Sequence, residues 1–192
     1  MSTNEDAPFA LTTARLVLRP PRDSMASAWT AYRNKNREHF AASGPRLDRE
    51  IDDATSLQGI RSTVEQMTAG TSAVFWLFHR DDAGSPIVGD VSLTTIVRGV
   101  FRACYCGYRI DASFEGRGLM TEALEKVLAH AFDALEMHRV MANYMPTNER
   151  SGRVLRRLGF TVEVYARDYL FLDGAWRDHI LASLVHDEPK MA

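Results

Sequence analysis

Hydrophobic and polar residues alternate along several short segments of this chain, a pattern that is typical of β-strands. The first segment, 15–19, alternates in this way and is followed by Pro20 and Pro21, which do not continue a strand. Turn-forming residues at 81–84 separate the next two segments. The predicted strands are 15–19, 75–80, 87–97, 102–110 and 138–145, with two more that end near Val185 and are joined by a turn at 173–174.

Four other segments have the spacing of amphipathic helices. The first two, 23–42 and 48–70, are each polar on one side, with Asp23 and Asp48 as expected N-caps and Gly70 as an expected C-cap. The third follows a glycine-rich turn, and the fourth spans 148–158. The order β-α-α-β-β-β-α-β-α-β-β predicts a single mixed sheet flanked by helices. The apolar stripe of the third helix faces that sheet and consists of Met120, Leu124, Val127, Leu128, Ala131 and Leu135.

Composition and charge narrow the class of protein. The chain has 192 residues, 45% of them hydrophobic, which suits one globular domain with a sizeable core. Its net charge of −2 gives no reason to expect direct nucleic-acid binding. We expect no membrane span and no signal peptide, and a cytoplasmic setting. Residues 1–11 and 187–192 are predicted to be tails, with the first disordered, around a domain at 12–186.

The two cysteines, Cys104 and Cys106, lie two residues apart on a predicted strand. This spacing supports neither a disulfide scaffold nor a zinc site, and no metal is expected. They are interpreted as small buried hydrophobic residues, and a redox or acetyl-carrier role is the alternative.

The turn before the third helix carries the strongest chemical signal. Gly116, Arg117 and Gly118 lie between a predicted strand and a predicted helix. Helix N-termini have unpaired amides and a positive dipole end, and glycines let that backbone approach an anion closely. A P-loop is excluded because no Gly-x-x-x-x-Gly-Lys run exists. A dinucleotide fingerprint is excluded because Thr121 stands where its third glycine is required.

The wider motif from Gly116 to Leu124 is similar to the pyrophosphate loop of the GNAT superfamily of N-acetyltransferases, which bind coenzyme A through backbone amides. A second block, Asn148-x-x-Ser151 followed by Leu158-Gly159-Phe160, resembles the second coenzyme A motif of that family. Four further runs resemble the RimJ/RimL branch, which acetylates N-termini of ribosomal proteins. They are 96–99, 103–105, 138–146 and 168–179. The resemblance covers about 12–186 and is strongest from Ile96 onward.

The resemblance implies an α/β (α+β) GNAT fold. Its single mixed, largely antiparallel sheet has about seven strands, is splayed in the middle and is flanked by about four helices. It also implies acetyl-CoA as co-substrate. The residues that it assigns to acetyl-CoA binding are Tyr108, Arg109, Ile110, Glu115, Gly116, Arg117, Gly118, Leu119, Met120, Thr121, Asn148, Ser151, Arg153 and Leu155. In this set, Glu115 and Met120 depart from the usual pattern of the loop. Glu115 is expected to point to solvent or to cap the helix, and the side chain of Met120 to join the core.

Four residues are candidates for catalysis: Asn148, Ser151, Tyr144 and Asp168. Ser151 and Tyr144 are candidate acids for the departing thiolate, with Tyr105 and Tyr108 as alternatives to Tyr144. Each also has an ordinary structural interpretation. Asn148 is a favourable N-cap, Ser151 lies where serines make local hydrogen bonds, Tyr144 suits packing, and Asp168 suits a surface ion pair.

Three functions remain open at this point. The first is acetyl transfer to a protein N-terminus, with a small-subunit ribosomal protein that starts with alanine as the expected acceptor, in a direct ternary complex. The second is the same chemistry on a small amine such as an antibiotic or toxin. The third is a coenzyme A-binding or ribosome-assembly module without turnover. We expect a monomer or a weak homodimer.

Overall fold

The computed structural model describes residues 10–186. The predicted tails lie outside this range except for residues 10 and 11, and they stay predictions. Within the range, the chain forms one sheet of eight strands and has five α-helices. The strands are β1 (Leu11–Thr12), β2 (Leu16–Arg19), β3 (Ala73–His79), β4 (Gly89–Val97), β5 (Ala103–Ile110), β6 (Arg139–Tyr144), β7 (Thr161–Leu172) and β8 (Ala175–Val185). The helices are α1 (Ala26–Lys35), α2 (Arg37–Ala41), α3 (Asp53–Thr68), α4 (Leu119–Asp133) and α5 (Glu149–Arg157).

The strand order is β1-β2-β3-β4-β5-β6-β8-β7. Every neighbouring pair is antiparallel except β5 and β6, which run parallel. A parallel pair needs a crossover connection, and α4 provides it. The prediction of one mixed, largely antiparallel sheet is therefore confirmed.

The sheet opens in its middle. Strands β5 and β6 pair only where 103–105 lie opposite 139–141. Beyond Tyr105 and Met141, β5 stays paired with β4 alone and β6 with β8 alone. The two strands therefore diverge and leave a gap in the sheet, which confirms the splay that the resemblance implied.

Helices cover both faces of the sheet. On one face, α4 buries its apolar stripe in the main core, and α5 adds Leu155. On the other face, α1 and α3 enclose a second cluster, in which Trp29 stacks on Trp76 with 4.4 Å between ring centroids. We call these the α4–α5 face and the α1–α3 face. Because neighbouring strand residues alternate, Tyr108 points to the first face and Arg109 to the second.

The element count differs slightly from the prediction, with eight strands instead of about seven and five helices instead of about four. The extra strand is the short β1. The extra helix arises because the predicted helix 23–42 starts with a 3-10 turn and breaks at Asn36, whose side-chain amide binds Asp111 and the N–H of Ala112. Helix α3 begins later than predicted because Asp52, not Asp48, caps it by accepting from the Thr55 N–H at 2.8 Å.

Cys104 and Cys106 are both buried and unpaired, as the simpler interpretation predicted. Burial raises the pKa of the Cys104 thiol to about 11, so the thiol stays protonated at neutral pH. No helix between residues 10 and 186 is long and apolar enough to cross a membrane.

Candidate active site

The glycine loop presents backbone amides at the start of α4. Gly116 and Gly118 have φ angles of +72° and +74°, a backbone conformation that residues other than glycine rarely adopt. Gly118 is the N-cap of α4, and no side chain caps the helix. The first amides of α4 therefore remain available to an anion, and the helix dipole favours one there.

Asp111 anchors the beginning of this loop. Its carboxylate is buried, caps the turn by accepting from the Ser113 N–H at 2.8 Å, and accepts from Asn36 at 3.0 Å and from Lys35 at 2.8 Å. Burial alone would raise the pKa of Asp111, but these hydrogen bonds together hold it well below its usual range. The loop is thereby tied to α1 and α2 on the opposite side of the sheet.

The two unusual residues of the loop have separate explanations. The expectation for Glu115 is wrong. Its carboxylate neither points to open solvent nor caps α4, because it pairs with Arg150 of α5 and lies 3.5 Å from Nε2 of His39. The negative charge of Glu115 is thus compensated by Arg150. The side chain of Met120 is 6% exposed and belongs to the core, as expected.

The strand that precedes the loop also supplies amides to the gap. The Asp111 N–H bonds to the Val88 carbonyl on the β4 side. Because the hydrogen-bonding direction alternates along an antiparallel strand, the amide of Arg109 also faces β4. The amides of Tyr108 and Ile110 then face the gap between β5 and β6. Of the three strand residues implied to bind the acetyl and pantetheine groups, two are oriented to do so through their backbone.

A compact polar cluster lies across this gap on the α4–α5 face. The hydroxyls of Tyr108 and Ser151 are 2.6 Å apart, and either can donate to the other. Asn148 caps α5, with its side-chain oxygen accepting from the Ser151 N–H at 3.1 Å. Burial is the main cause that raises the pKa of Tyr108 well above its usual value, and it outweighs the opposing hydrogen bond from Ser151. The phenol therefore stays protonated at neutral pH.

Tyr144 closes the cluster from β6. Its ring lies so near α5 that a Cβ on Gly152 would be 3.0 Å from it, so a larger residue at Gly152 would displace the ring. Tyr144 is half-buried against the core. It therefore positions α5 beside the gap.

Other predicted binding residues are placed differently. The side chains of Leu119 and Leu155 are in the core, each 2% exposed, so only their backbone can meet a ligand. Arg153 pairs with Glu149 at 3.1 Å on the exposed side of α5. The guanidinium of Arg117 donates to the Ser113 carbonyl at 2.8 Å and stacks on Phe114. Thr121 is half-buried in the first turn of α4.

Asp168 lies apart from the cluster. It is exposed on β7, has a φ angle of +49°, and sits where the pairing of β7 with β8 shifts register. Its backbone N–H donates to Asp178 at 2.9 Å, and Asp178 also accepts from the Tyr165 hydroxyl at 2.6 Å. These hydrogen bonds, chiefly the one from Tyr165, lower the pKa of the Asp178 carboxyl.

A groove of about 560 Å³ adjoins this part of β7 and β8. It is bounded by the end of α2, by the turn between β6 and α5, and by the hairpin of β7 and β8. The lining residues with polar side chains are Thr147, Tyr165, Asp173, Trp176, Arg177 and Asp178. One of its lining residues, Thr147, directly precedes Asn148, so the groove lies next to the start of α5.

Two interactions near the gap involve residues that sequence reasoning did not select. On the α1–α3 face, Arg109 binds the buried carboxylate of Asp90 through two nitrogens, and Tyr32 donates to the same carboxylate at 3.0 Å. Beside the glycine loop, Arg15 pairs with Glu122 at 2.7 Å. Glu122 lies within the loop motif and could have been selected from the sequence. Its pairing with Arg15 could not, because Arg15 lies more than a hundred residues earlier in the chain.

A third network occupies the point where the gap opens. Tyr105 and Tyr169 share a hydrogen bond, which is the main cause that raises the pKa of Tyr105. Asn143 donates to the Tyr169 hydroxyl at 3.3 Å. Residues 10–186 contain no group of three or more histidine, cysteine or acidic side chains that could hold a metal ion.

An amide-lined gap beside an uncapped helix start can hold an extended ligand that carries an anionic group. The model of the acetyltransferase (GNAT) domain matches residues 15–161, most of the chain. This protein therefore belongs to the GNAT acetyltransferase family.

The similarity extends to individual relatives. The [ribosomal protein uS5]-alanine N-acetyltransferase of Escherichia coli K12 is 40% identical over 175 residues, which cover 91% of this chain and 89% of that protein. The ribosomal-protein-S5-alanine acetyltransferase of Vibrio fischeri is 32% identical, with a TM-score of 0.88 over 95% of this chain and 100% of that one. Mycobacterium smegmatis RimJ, solved in complex with CoA-disulfide, is 29% identical, with a TM-score of 0.84 over 96% of this chain and 91% of that one.

Proposed function

We propose that this protein transfers the acetyl group of acetyl-CoA to the N-terminal α-amine of a ribosomal protein that begins with alanine. The observation that carries the chemistry is the gap between β5 and β6, with the amides of Tyr108 and Ile110 on one side and the hydroxyls of Tyr108 and Ser151 beside it. The acceptor is supported by the uS5-alanine N-acetyltransferase that is 40% identical over nearly the full length of both chains. We assign this activity to a domain at 12–186.

The donor is oriented by two sets of amides in this proposal. The pyrophosphate of acetyl-CoA binds the amides at the start of α4, beside Gly116 and Gly118. The pantetheine arm then runs along the gap, and the thioester carbonyl accepts from strand amides of β5. Donors aimed at a developing oxyanion contribute about 3–4 kcal/mol each.

The reaction needs an acid more than it needs a base. An α-amine has a pKa of about 7.7–8.0, so roughly 10–15% of it is already neutral at pH 7. The neutral amine attacks the thioester carbon, the carbon–sulfur bond breaks, and the thiolate of coenzyme A departs. The Ser151 hydroxyl donates its proton to that thiolate and takes up the proton of the Tyr108 hydroxyl. The proton that the amine nitrogen releases returns through water to Tyr108, whose raised pKa favours its recapture, so both hydroxyls are protonated at the end of the turnover.

Asn148, Tyr144 and Asp168 have supporting roles in this proposal. Asn148 fixes the first turn of α5 and thereby the position of Ser151. Tyr144 holds α5 against the gap through its contact at Gly152. The groove between α2 and the hairpin of β7 and β8 admits the acceptor peptide, and the carboxylates of Asp168 and Asp178 attract its cationic amine. With a ribosomal acceptor, we place the reaction in the cytoplasm.

One assay tests this function. The protein is incubated with acetyl-CoA and with peptides that start with alanine, serine or a blocked terminus, with lysine peptides and with aminoglycosides. Thiol release is followed, and the acetylated position is read by mass spectrometry. We expect the highest kcat/KM for the alanine peptide, with the acetyl group on the α-amine. Faster turnover of an aminoglycoside would contradict the proposed acceptor. Absence of turnover with every amine would contradict the proposed enzymatic activity.

A further inference from the structure

The turn between β1 and β2 makes three hydrogen bonds with Glu122 in the first turn of α4. The hydroxyl of Thr13 donates to Oε1 of Glu122 at 2.6 Å, and the backbone N–H of Arg15 donates to the same oxygen at 2.8 Å. Nε of Arg15 donates to Oε2 of Glu122 at 2.7 Å. Burial by itself would raise the pKa of Glu122, but these hydrogen bonds outweigh it and hold the pKa below its usual value. The carboxylate is therefore charged at neutral pH.

Arg15 also reaches the glycine loop itself. Its Nη1 donates to the backbone carbonyl of Arg117 at 3.0 Å. Its Nη2 lies 3.7 Å from the position that a Cβ on Gly118 would occupy. One guanidinium therefore joins the carboxylate of Glu122 to the peptide bond between Arg117 and Gly118.

That peptide bond determines where an amide of the loop points. It is trans and planar, so the carbonyl of Arg117 and the N–H of Gly118 point in opposite directions. Holding the carbonyl towards Arg15 directs the N–H of Gly118 away from Arg15, so this N–H is not used by the guanidinium. Gly118 has no side chain of its own to fix this orientation, and glycine rotates more freely than any other residue.

We infer that Arg15 is a positioning residue for the donor, which preorganises the Gly118 amide for the pyrophosphate of coenzyme A. Glu122 acts with it by orienting the guanidinium. The inference rests on the proposed function only for the identity of the donor. It requires no contact between Arg15 and the acceptor.

The test compares Arg15→Ala with Arg80→Ala. Arg80 is a matched control, because it is a half-exposed cation that donates to the Thr13 carbonyl at 3.2 Å and touches neither Glu122 nor the loop. Binding of coenzyme A is measured by calorimetry without acceptor. We expect Arg15→Ala to weaken binding about tenfold, the equivalent of one hydrogen bond, and Arg80→Ala to leave it within about twofold. The KM for acetyl-CoA should rise with Arg15→Ala while kcat at saturation stays unchanged.

A second donor separates positioning from general damage. S-acetyl-pantetheine has the same thioester but no pyrophosphate, so Arg15→Ala should use it as well as the parent protein does. Equal loss with both donors would overturn the inference, as would unchanged binding of coenzyme A. Should Arg15→Ala fail to fold, Arg15→Lys keeps the ion pair with Glu122 but cannot bridge to the Arg117 carbonyl as well. Parent-like binding by Arg15→Lys would overturn the inference by showing that charge alone suffices. A parent protein that does not bind coenzyme A would instead overturn the proposed function.

Discussion

The two sides of the gap are built from the chain in different ways. The proposed donor side consists of the end of β5, the glycine loop and the starts of α4 and α5, so most of its residues belong to two short segments, 108–122 and 148–155. The proposed acceptor side is the groove formed by the end of α2 near residue 41, the turn after β6 and the hairpin of β7 and β8. The geometry of a contiguous segment is determined by its own caps and turns. The groove, in contrast, forms only when elements that are distant in the sequence pack together. The donor side should therefore control the use of acetyl-CoA, and the acceptor side the choice of amine.

Ser151→Ala tests the chemical step on the donor side and has the largest expected effect. Loss of the hydroxyl removes the proton donor for the thiolate, so kcat should fall about 100-fold while the KM for acetyl-CoA changes little. Steady-state kinetics with the alanine peptide measure both values. Because Tyr108 acts through Ser151, Tyr108→Phe combined with Ser151→Ala should be no slower than Ser151→Ala alone. Additive losses would show that the two hydroxyls act separately.

Gly118→Val tests the amide cradle. A β-branched residue is strained at a φ of +74°, and relieving the strain turns the amides at the start of α4, so the KM for acetyl-CoA should rise about 30-fold. Gly99→Val is the matched control, because Gly99 has a φ of +71° and a Cβ added there would meet nothing within 4 Å. Both variants should lose similar stability in urea unfolding. A comparable rise in KM for Gly99→Val would mean that strain anywhere in the fold, and not the loop, limits donor binding.

Much of the donor side could be predicted from the sequence because its signals are contiguous. The glycines at a strand-to-helix turn, the Asn148 cap and the apolar stripe of α4 all lie within single elements. The orientation of Glu115 could not be predicted, because its partners His39 and Arg150 come from other helices. The break at Asn36 had the same cause, since its side chain serves a loop about 75 residues later.

The acceptor side was predicted less completely. Asp168 was selected from a resemblance, but the residue that organises its surroundings is Asp178, which bonds both to its backbone and to Tyr165. Nothing in the local sequence distinguishes Asp178 from other surface carboxylates. Such positions become visible only when the register of β7 against β8, including its shift near Asp168, is known.

Asp111 tests how strongly the glycine loop is tied to α1 and α2, because it binds Lys35 and Asn36 and also caps the turn that precedes the loop. Asp111→Asn should lower the free energy of unfolding at pH 7 by about 2 kcal/mol, since a buried charge-assisted network is lost. The folded-state pKa of Asp111 lies below its unfolded value. Its contribution is therefore present above about pH 4 and is lost as the pH falls towards the folded pKa. Urea unfolding at pH 7 and pH 3 should show the difference between parent and variant shrinking, and a constant difference would contradict this.

Asp178→Asn tests the acceptor side and has the smallest expected effect. Its carboxylate is half-exposed, so the loss of attraction for a cationic α-amine is screened by solvent. The KM for the alanine peptide should rise about two- to fivefold, while the KM for acetyl-CoA stays at the parent value. Asp81→Asn removes an exposed carboxylate from the turn between β3 and β4, away from the groove, and should change neither. If Asp178→Asn altered the KM for acetyl-CoA and left that for the peptide unchanged, the groove would belong to the donor, and the division between the two sides would be wrong.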